Sequence, residues 1–462
     1  SFSGAQDVFI AKFSPDGQFL LFFTFFGGSS NDWPTDVAID ASNNILIVGY
    51  TVSSDFPVVA AFQSNYTGQE DGFLVKLSAD GQTVLFSTYL GGSANDIAWA
   101  LDIDLDGNVV IVGYTSSNDF PTLNAYQEHF GGTRDAFIAK FRADGQLLFS
   151  TYFGGGSDDY GHGVAIDTTG NIVVPGAVIT NNLDYQIFVA KFSADGQTQL
   201  FLKYFGGDGH DHCNGIAIDF IGNIVISGTT DSSNFFPIVN GSQESYGGGR
   251  YDTFITKFSP DGQTMLFSTY LGGSSEDNNY AVAVDTAANI LVTGYTSSTN
   301  FPTVNATQNT NSGDRDIFVT KFTPGGQISF STYLGGNSRD QAYDIAADGD
   351  GSIIIVGDTI SRDFPLVNAS QACIGGGSDV FICKFTFNLT NSEASITPST
   401  CIQPTTELST STTIIIESTE SGAINPSPGF GVPISILGLM IFTILSFIII
   451  KRKKFKIAQF RR

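Results

Sequence analysis

The sequence predicts an all-β protein, a β-propeller of four-stranded blades, and three observations carry that reading. The phrase LFSTYLGGS stands at Leu85–Ser93 and again, letter for letter, at Leu266–Ser274, with close variants starting at Leu21, Leu148, Leu200 and Ser329. The apolar pieces are short, about five to seven residues, rich in Phe, Ile, Val and Tyr, and bounded by Asp-Gly, Gly-Gly or Gly-Asn; no helical period competes with them. A lysine in one of these pieces recurs at Lys12, Lys76, Lys140, Lys191, Lys257, Lys321 and Lys384, with spacings of 64, 64, 51, 66, 64 and 63. A period of that size carrying four strands is the signature of propeller blades.

One unit shows the elements in order. From Asp135 the chain reads DAFIAKF, a turn RADGQ, LLFSTYFGG, a polar loop, GVAIDTTGN and IVVPG. Lettered from the axis outward, AID belongs to strand A and is expected to open it, IVVPG is strand B, FIAKF strand C and LFSTYFGG strand D. RADGQ and DTTGN read as hairpin turns. STY supplies β-formers, and GG supplies backbone freedom where the strand ends. A blade cannot bury its faces alone, and each copy packs on similar neighbours, so one phrase solves the same packing problem each time.

The composite pattern FIAKF, DGQ, LFSTYLGG, AIDxxGN, IVVGYTSSNDFP resembles the SBBP family over about Ser1–Phe385. The resemblance implies a propeller and frequent occurrence on secreted or surface proteins. It implies no characterised reaction and carries over no catalytic residue.

Strand counting predicts how the ring closes. The chain begins on strands C and D at Asp7–Phe26, five complete blades follow, and it ends on A (Tyr343–Ala347), B (Ile353–Gly357) and C (Asp379–Phe385). A seven-bladed propeller is expected, N-terminally incomplete, with strands D, A and B preceding Ser1. The alternative is six blades, in which the C-terminal A and B join the N-terminal C and D and Asp379–Phe385 is left over.

The propeller is thus placed at 1–385. Residues 386–431 follow as a Ser/Thr-rich stalk. Val432–Ile450 reads VPISILGLMIFTILSFIII, uncharged and mostly apolar, long enough as a helix to cross a hydrocarbon core of about 30 Å. Residues 451–462, opening KRKKFK, form a basic tail, and no Lys or Arg lies between Phe385 and that run. The positive-inside rule puts the tail in the cytoplasm and the propeller outside, a single-pass cell-surface protein. Sequons at Asn65, Asn240, Asn305, Asn368 and Asn388 fit a glycoprotein.

Composition excludes one partner class. With 21 Lys+Arg against 45 Asp+Glu, the chain is strongly acidic, and a nucleic-acid backbone would be repelled. Four cysteines, Cys213, Cys373, Cys383 and Cys401, are too few for a disulfide framework; a bond between Cys373 and Cys383 is conceivable, and Cys401 reads as free.

Strand-to-strand connections assign the site. The B–C loops are long in every unit except the fourth, where VITNNLDYQ replaces the Phe-Pro loop, so a notch is expected on the looped face. Each D–A loop ends in an acid: Asp32, Asp96, Asp159, Asp211, Asp277 and Asp340. These read either as a ring of carboxylates for Ca²⁺ or as acceptors that hold their own loops, and recurrence in every blade favours the second. DIDLDGN at Asp102–Asn108 mimics a calcium loop but lacks the downstream Glu and aligns with an ordinary A–B hairpin. His210, His212 and Cys213 have zinc-ligand types without a supporting spacing motif. No cofactor and no catalytic residue is assigned.

The copies disagree at two positions. Seven residues before the Asp of AID stand Trp33, Ile97, Tyr160, His212, Asn278 and Gln341; five before it stand Thr35, Trp99, His162, Asn214, Tyr280 and Tyr343. Trp33, Trp99, Tyr160, His162, His212, Asn214, Asn278, Tyr280 and Tyr343 are the candidate ligand-binding residues, expected to ring the axial opening of the looped face. They either fill the channel or form an aromatic and amide-lined site for a glycan or protein ligand. A non-catalytic binding or adhesion module is the favoured function. An extracellular glycosidase or lyase acting on polysaccharide is the alternative, and it requires paired carboxylates at the mouth.

Overall fold

The computed structural model describes residues 4, 6–179, 185–369, 371 and 373–387, and, as strand backbones, 398–402, 413–417 and 446–450. Among these there are strands and no helices. Six blades are each built from consecutive strands A to D. Their strands A are Asp32–Ile39, Asp96–Ile103, Asp159–Gly161 with Ala165–Ile166, Asp211–Ile218, Asp277–Val284 and Asp340–Ala347, defining blades I to VI. AID closes strand A rather than opening it, because the strand already begins at the loop Asp.

The N-terminal pair, Val8–Phe13 and Leu20–Phe26, forms a further sheet with Thr413–Glu417 and Ser446–Ile450. Thr413–Glu417 runs parallel to Val8–Phe13, whereas strands B and C are antiparallel in blades I to VI. Six complete blades match the alternative count, but the ring does not close as that reading supposed. Asp379–Phe385 is not left over: it is strand C of blade VI, with Pro398–Ile402 from the Ser/Thr-rich stretch as strand D. Of the span 432–450, Ser446–Ile450 is a strand, and the remainder, like the basic tail, lies outside the described residues. No helix among the described residues is long and apolar enough to cross a membrane.

The core lies between blades, as the repeat requires. Leu46, Val48 and Leu74 of blade I pack on Val109, Ile111 and Phe137 of blade II, and equivalent clusters join each later pair. The N-terminal strand sits in the same way between blades VI and I: Phe9 and Ala11 pack on Ile354 and Ile382, while Val8 and Ile10 face Ile45 and Ile47.

The repeated lysine staples blades together. Lys140 is buried in strand C of blade II, paired with Asp104 at 2.9 Å, and donates to the Ala194 carbonyl in the C–D turn of blade III at 3.0 Å. Lys76 does the same with Asp40 and Ala143, and Lys191 with Asp167 and Pro260. The Asp of each AID is therefore committed, and Asp104 of the calcium-like DIDLDGN also accepts from Asn108 and Asp106 within its own hairpin.

The phrase STYLGG has a second purpose beyond β propensity. The long B–C loop runs outward and lies along strand D of its own blade. In blade II, Leu123 and Ser150 exchange backbone hydrogen bonds of 3.0 and 2.8 Å. The Thr151 hydroxyl accepts from the Gln127 N–H at 2.8 Å. The Tyr152 hydroxyl donates to the Ser117 carbonyl at 2.9 Å and accepts from the Phe120 N–H at 3.1 Å. The same clip recurs on Tyr89 and Tyr333.

Candidate functional site

Strand A begins at the looped face with its Asp, and each Asp holds its own loop. Asp32, Asp96, Asp159, Asp211, Asp277 and Asp340 each accept the N–H of the second glycine of the preceding GG at 2.6 to 2.8 Å. Five of them also accept from a serine just beyond strand B, such as Ser117 to Asp96 at 2.8 Å. This is the loop-holding reading, and no group of three or more His, Cys, Asp or Glu among the described residues is placed to hold a metal.

Burial pushes Asp32, Asp96, Asp159, Asp211 and Asp277 up to about 6 from an ordinary 3.8, partly offset by these hydrogen bonds. Asp252, buried at the start of strand C in blade IV, rises to about 8. A carboxyl whose folded value is raised favours the folded state below its unfolded value and loses that contribution as pH rises through the folded value. In Asp40, Asp104, Asp219 and Asp285, hydrogen bonds to Lys and Asn and the lysine charge outweigh the opposing desolvation and hold the carboxyl down, so their contribution is lost only in stronger acid. The expected result is a melting temperature that rises as pH falls from 7.5 to about 4.5 and drops below about 3.5; thermal melts across that range check it.

Two residues after each Asp, strand A carries a β-bulge. The register slips between Pro34 and Asp36, Ala98 and Ala100, Cys213 and Gly215, Asn279 and Ala281, and Ala342 and Asp344. In blade III the strand breaks between Gly161 and Ala165 at the same place. The extra residue is Thr35, Trp99, His162, Asn214, Tyr280 or Tyr343. A bulge re-aims one side chain, and here all six line an axial cavity of about 160 Å³, with Asp36 and Asp344 beside them.

Neighbouring members touch across blade boundaries. Trp99 and His162 have ring centroids 6.4 Å apart, and Tyr280 and Tyr343 5.3 Å apart. The Thr35 hydroxyl donates to the Ala98 carbonyl at 2.7 Å, and the Asn214 amide to the Asn279 carbonyl at 2.8 Å. Tyr343 donates to Asp358 at 2.8 Å. Its hydroxyl is pushed well above the usual phenol range by burial and by the Asp358 charge.

The other candidate positions lie elsewhere. Trp33 stacks on Tyr50 of strand B at 4.8 Å, and Asn278 donates to the Tyr295 hydroxyl at 3.3 Å. Tyr160 meets Tyr114 at 5.1 Å and accepts from Arg134 at 2.7 Å. His212 packs on Tyr185 at 4.5 Å, and burial beside His210 lowers it to about 4. These four do not line the axial cavity. They precede the bulge, so they remain in register with strand B and pack over it or between blades.

The zinc trio does not assemble. Cys213 alternates to the opposite side of its strand from His212 and is buried in the core with Phe236 and Phe254, its thiol pushed up to about 12. The His210 and His212 rings are 6.5 Å apart. Nor does a Cys373–Cys383 bond form: Cys373 is free, and Cys383 is disulfide-bonded, with Cys401 opposite it in the strand register. Sequence reading missed Asp36 and Asp344; the signal was an acid one residue after the variable position in blades I and VI.

Comparison with known proteins fits this architecture. The β-propeller repeat SBBP matches at residues 21–57, 148–173, 266–302 and 330–365. A WD repeat-containing protein of Acanthamoeba polyphaga mimivirus, itself uncharacterized, is 22% identical over 474 residues, covering 83% of this chain and 34% of its own length. The chain therefore spans about a third of that relative. A gluconolactonase from Xanthomonas campestris is 14% identical with a TM-score of 0.36, covering 72% of this chain and 84% of its own. A quinohemoprotein alcohol dehydrogenase from Comamonas testosteroni is 10% identical with a TM-score of 0.39, covering 79% and 62%. Likenesses at that level carry nothing about activity. The chain thus carries four matches to the SBBP β-propeller repeat and folds as a β-propeller of four-stranded blades.

Proposed function

We propose that the chain is a cell-surface-anchored extracellular propeller that binds a glycan or protein ligand at its axial cavity without catalysing a reaction. The carrying observation is the ring of bulge residues: one fold position, re-aimed to the axis in every blade, is filled by Thr, Trp, His, Asn and, twice, Tyr. Aromatic faces suit the C–H surfaces of sugars, and His162 and Asn214 supply directional polar groups. The bonded Cys383 agrees with an oxidising compartment. The apolar run Val432–Ile450 followed by KRKKFK supports a single-pass anchor with the tail in the cytoplasm, a state in which Ser446–Ile450 would leave its strand pairing with Thr413–Glu417; protease shaving of intact cells, releasing the propeller but not the tail, is the check.

The enzyme alternative needs a free carboxylate pair at the axis. Asp36 is instead occupied as a structural acceptor, taking the Val37 N–H at 2.7 Å and, across the blade boundary, the Leu101 N–H at 2.8 Å. This favours binding. Glycan-array and surface-protein screening of the full chain tests it. Trp99→Ala is expected to weaken the ligand found by about tenfold or more while the melting temperature stays nearly constant. A large loss of stability with unchanged binding would make the ring a channel plug, and release of product from polysaccharide would make the protein an enzyme.

A further inference from the structure

Blade III departs from its sisters at its outer edge. Its B–C connection is only residues 180–184, too short to pass strands C and D at about 4.8 Å each and return. In blades I, II, IV and V the long loop lies against strand D and exchanges backbone hydrogen bonds with it, at Val59–Ser87, Leu123–Ser150, Val239–Ser268 and Val304–Ser331. Those loops act as a short fifth strand. Among the described residues no such bridge reaches strand D of blade III, Gln199–Phe205.

The sequence of that strand has changed to match. Strand register aligns Leu202 with Ser150, Lys203 with Thr151 and Tyr204 with Tyr152. The two clip residues Ser and Thr are replaced. Tyr204 is 55% exposed where Tyr152 is 1% exposed. Ser150 and Tyr152 turn their N–H groups outward to the loop, at 2.8 and 3.3 Å; Leu202 and Tyr204 occupy the same register. Lys203 does not guard this edge, because its ammonium is committed to the Gly262 and Gln263 carbonyls of blade IV at 2.7 and 3.0 Å. On the other side, Gln197 donates to the Asn124 carbonyl of the blade II loop. The edge is thus recessed between flanking loops by about one strand spacing.

We propose that the outer edge of Gln199–Phe205 is a docking site for an extended segment of a partner protein, taken up as a fifth antiparallel strand. The occupant is specified by what fills this place in the sister blades: an extended Phe-Pro-led segment with an apolar residue three positions after the Phe, as in Phe120–Leu123. Backbone hydrogen bonds to Leu202 and Tyr204 would supply affinity, and the side chains of Leu202 and Tyr204, on one face of the strand, would supply register. This site is separate from the axial cavity and does not depend on it.

The test uses the full chain and a fluorescent synthetic peptide copying residues 117–130, read by anisotropy. Saturable binding is expected, weakened by about tenfold or more in Leu202→Pro, which removes one outward N–H at an edge position that tolerates proline. Tyr204→Asp, a charge on an exposed position, is expected to weaken it as well, with the thermal melt preserved. Trp99→Ala is expected to leave it unchanged. No saturable binding, or binding that survives both edge variants, overturns the proposal. Concentration-dependent self-association abolished by Leu202→Pro also overturns it and gives the edge to a second copy of the chain.

Discussion

Gly113→Ala is expected to abolish folding of the propeller or to cost it more than about 3 kcal/mol. Gly113 lies in strand B of blade II, opposite the bulge at Trp99. A Cβ there would sit 1.9 Å from the Ile97 carbonyl oxygen, a backbone atom that cannot swing aside. The contact arises because the bulge tips strand A toward strand B just where the extra residue turns to the axis. Gly49, Gly228, Gly294 and Gly357 occupy the same place, each with a strand A carbonyl within 1.8 to 2.0 Å of the added carbon. Gly155→Ala, where nothing lies within 4 Å, is the matched control and should leave the melt unchanged. Soluble yield and thermal denaturation of the pair decide the matter. Equal behaviour of the two variants would mean that the bulge is not needed.

Lys140→Met is the second large effect, about 3 kcal/mol of lost stability. The lysine and Asp104 are each 8% exposed, so truncation strands a carboxylate that has lost its countercharge. It also removes the hydrogen bond to the Ala194 carbonyl, which ties blade II to blade III. The double variant Lys140→Met/Asp104→Asn should recover part of the loss, since removing both charges leaves nothing unpaired. Arg142→Ala, which breaks an exposed pair with Asp144 in the adjacent turn, should leave the melting midpoint where it was. Chemical denaturation of the four proteins measures this. No recovery in the double variant would locate the effect in lysine packing rather than in charge.

The recurring lysine and the Asp of AID are 24 to 38 residues apart in the sequence and were not legible as partners. Each was visible as a repeated letter. That they form one buried pair follows only from the antiparallel A–B–C arrangement, which sets strand A of a blade near its strand C. The Tyr of STY was likewise legible as a β-former, but its hydroxyl bonds to a loop more than thirty residues upstream, and no local pattern announces that.

By itself the sequence determined the fold class, the four strands of a blade, the looped face and the positions where the copies differ. Those properties rest on local periodicity, turn chemistry and repetition, which are written along the chain. Only the tertiary structure decided which variable position faces the axis. Seven and five residues before the Asp of AID have the same parity along a strand, so alternation alone sends Trp33 and Thr35, or Tyr160 and His162, to one face. The second residue of each pair is itself the extra one, which breaks that parity, and a bulge is defined by the partner strand it fails to match. Trp99, His162 and Tyr280 therefore reach the cavity, while Trp33, Tyr160 and His212 remain over strand B or between blades. The closing of the ring was decided in the same way, by which segments find an open strand edge in space and not by their order in the chain.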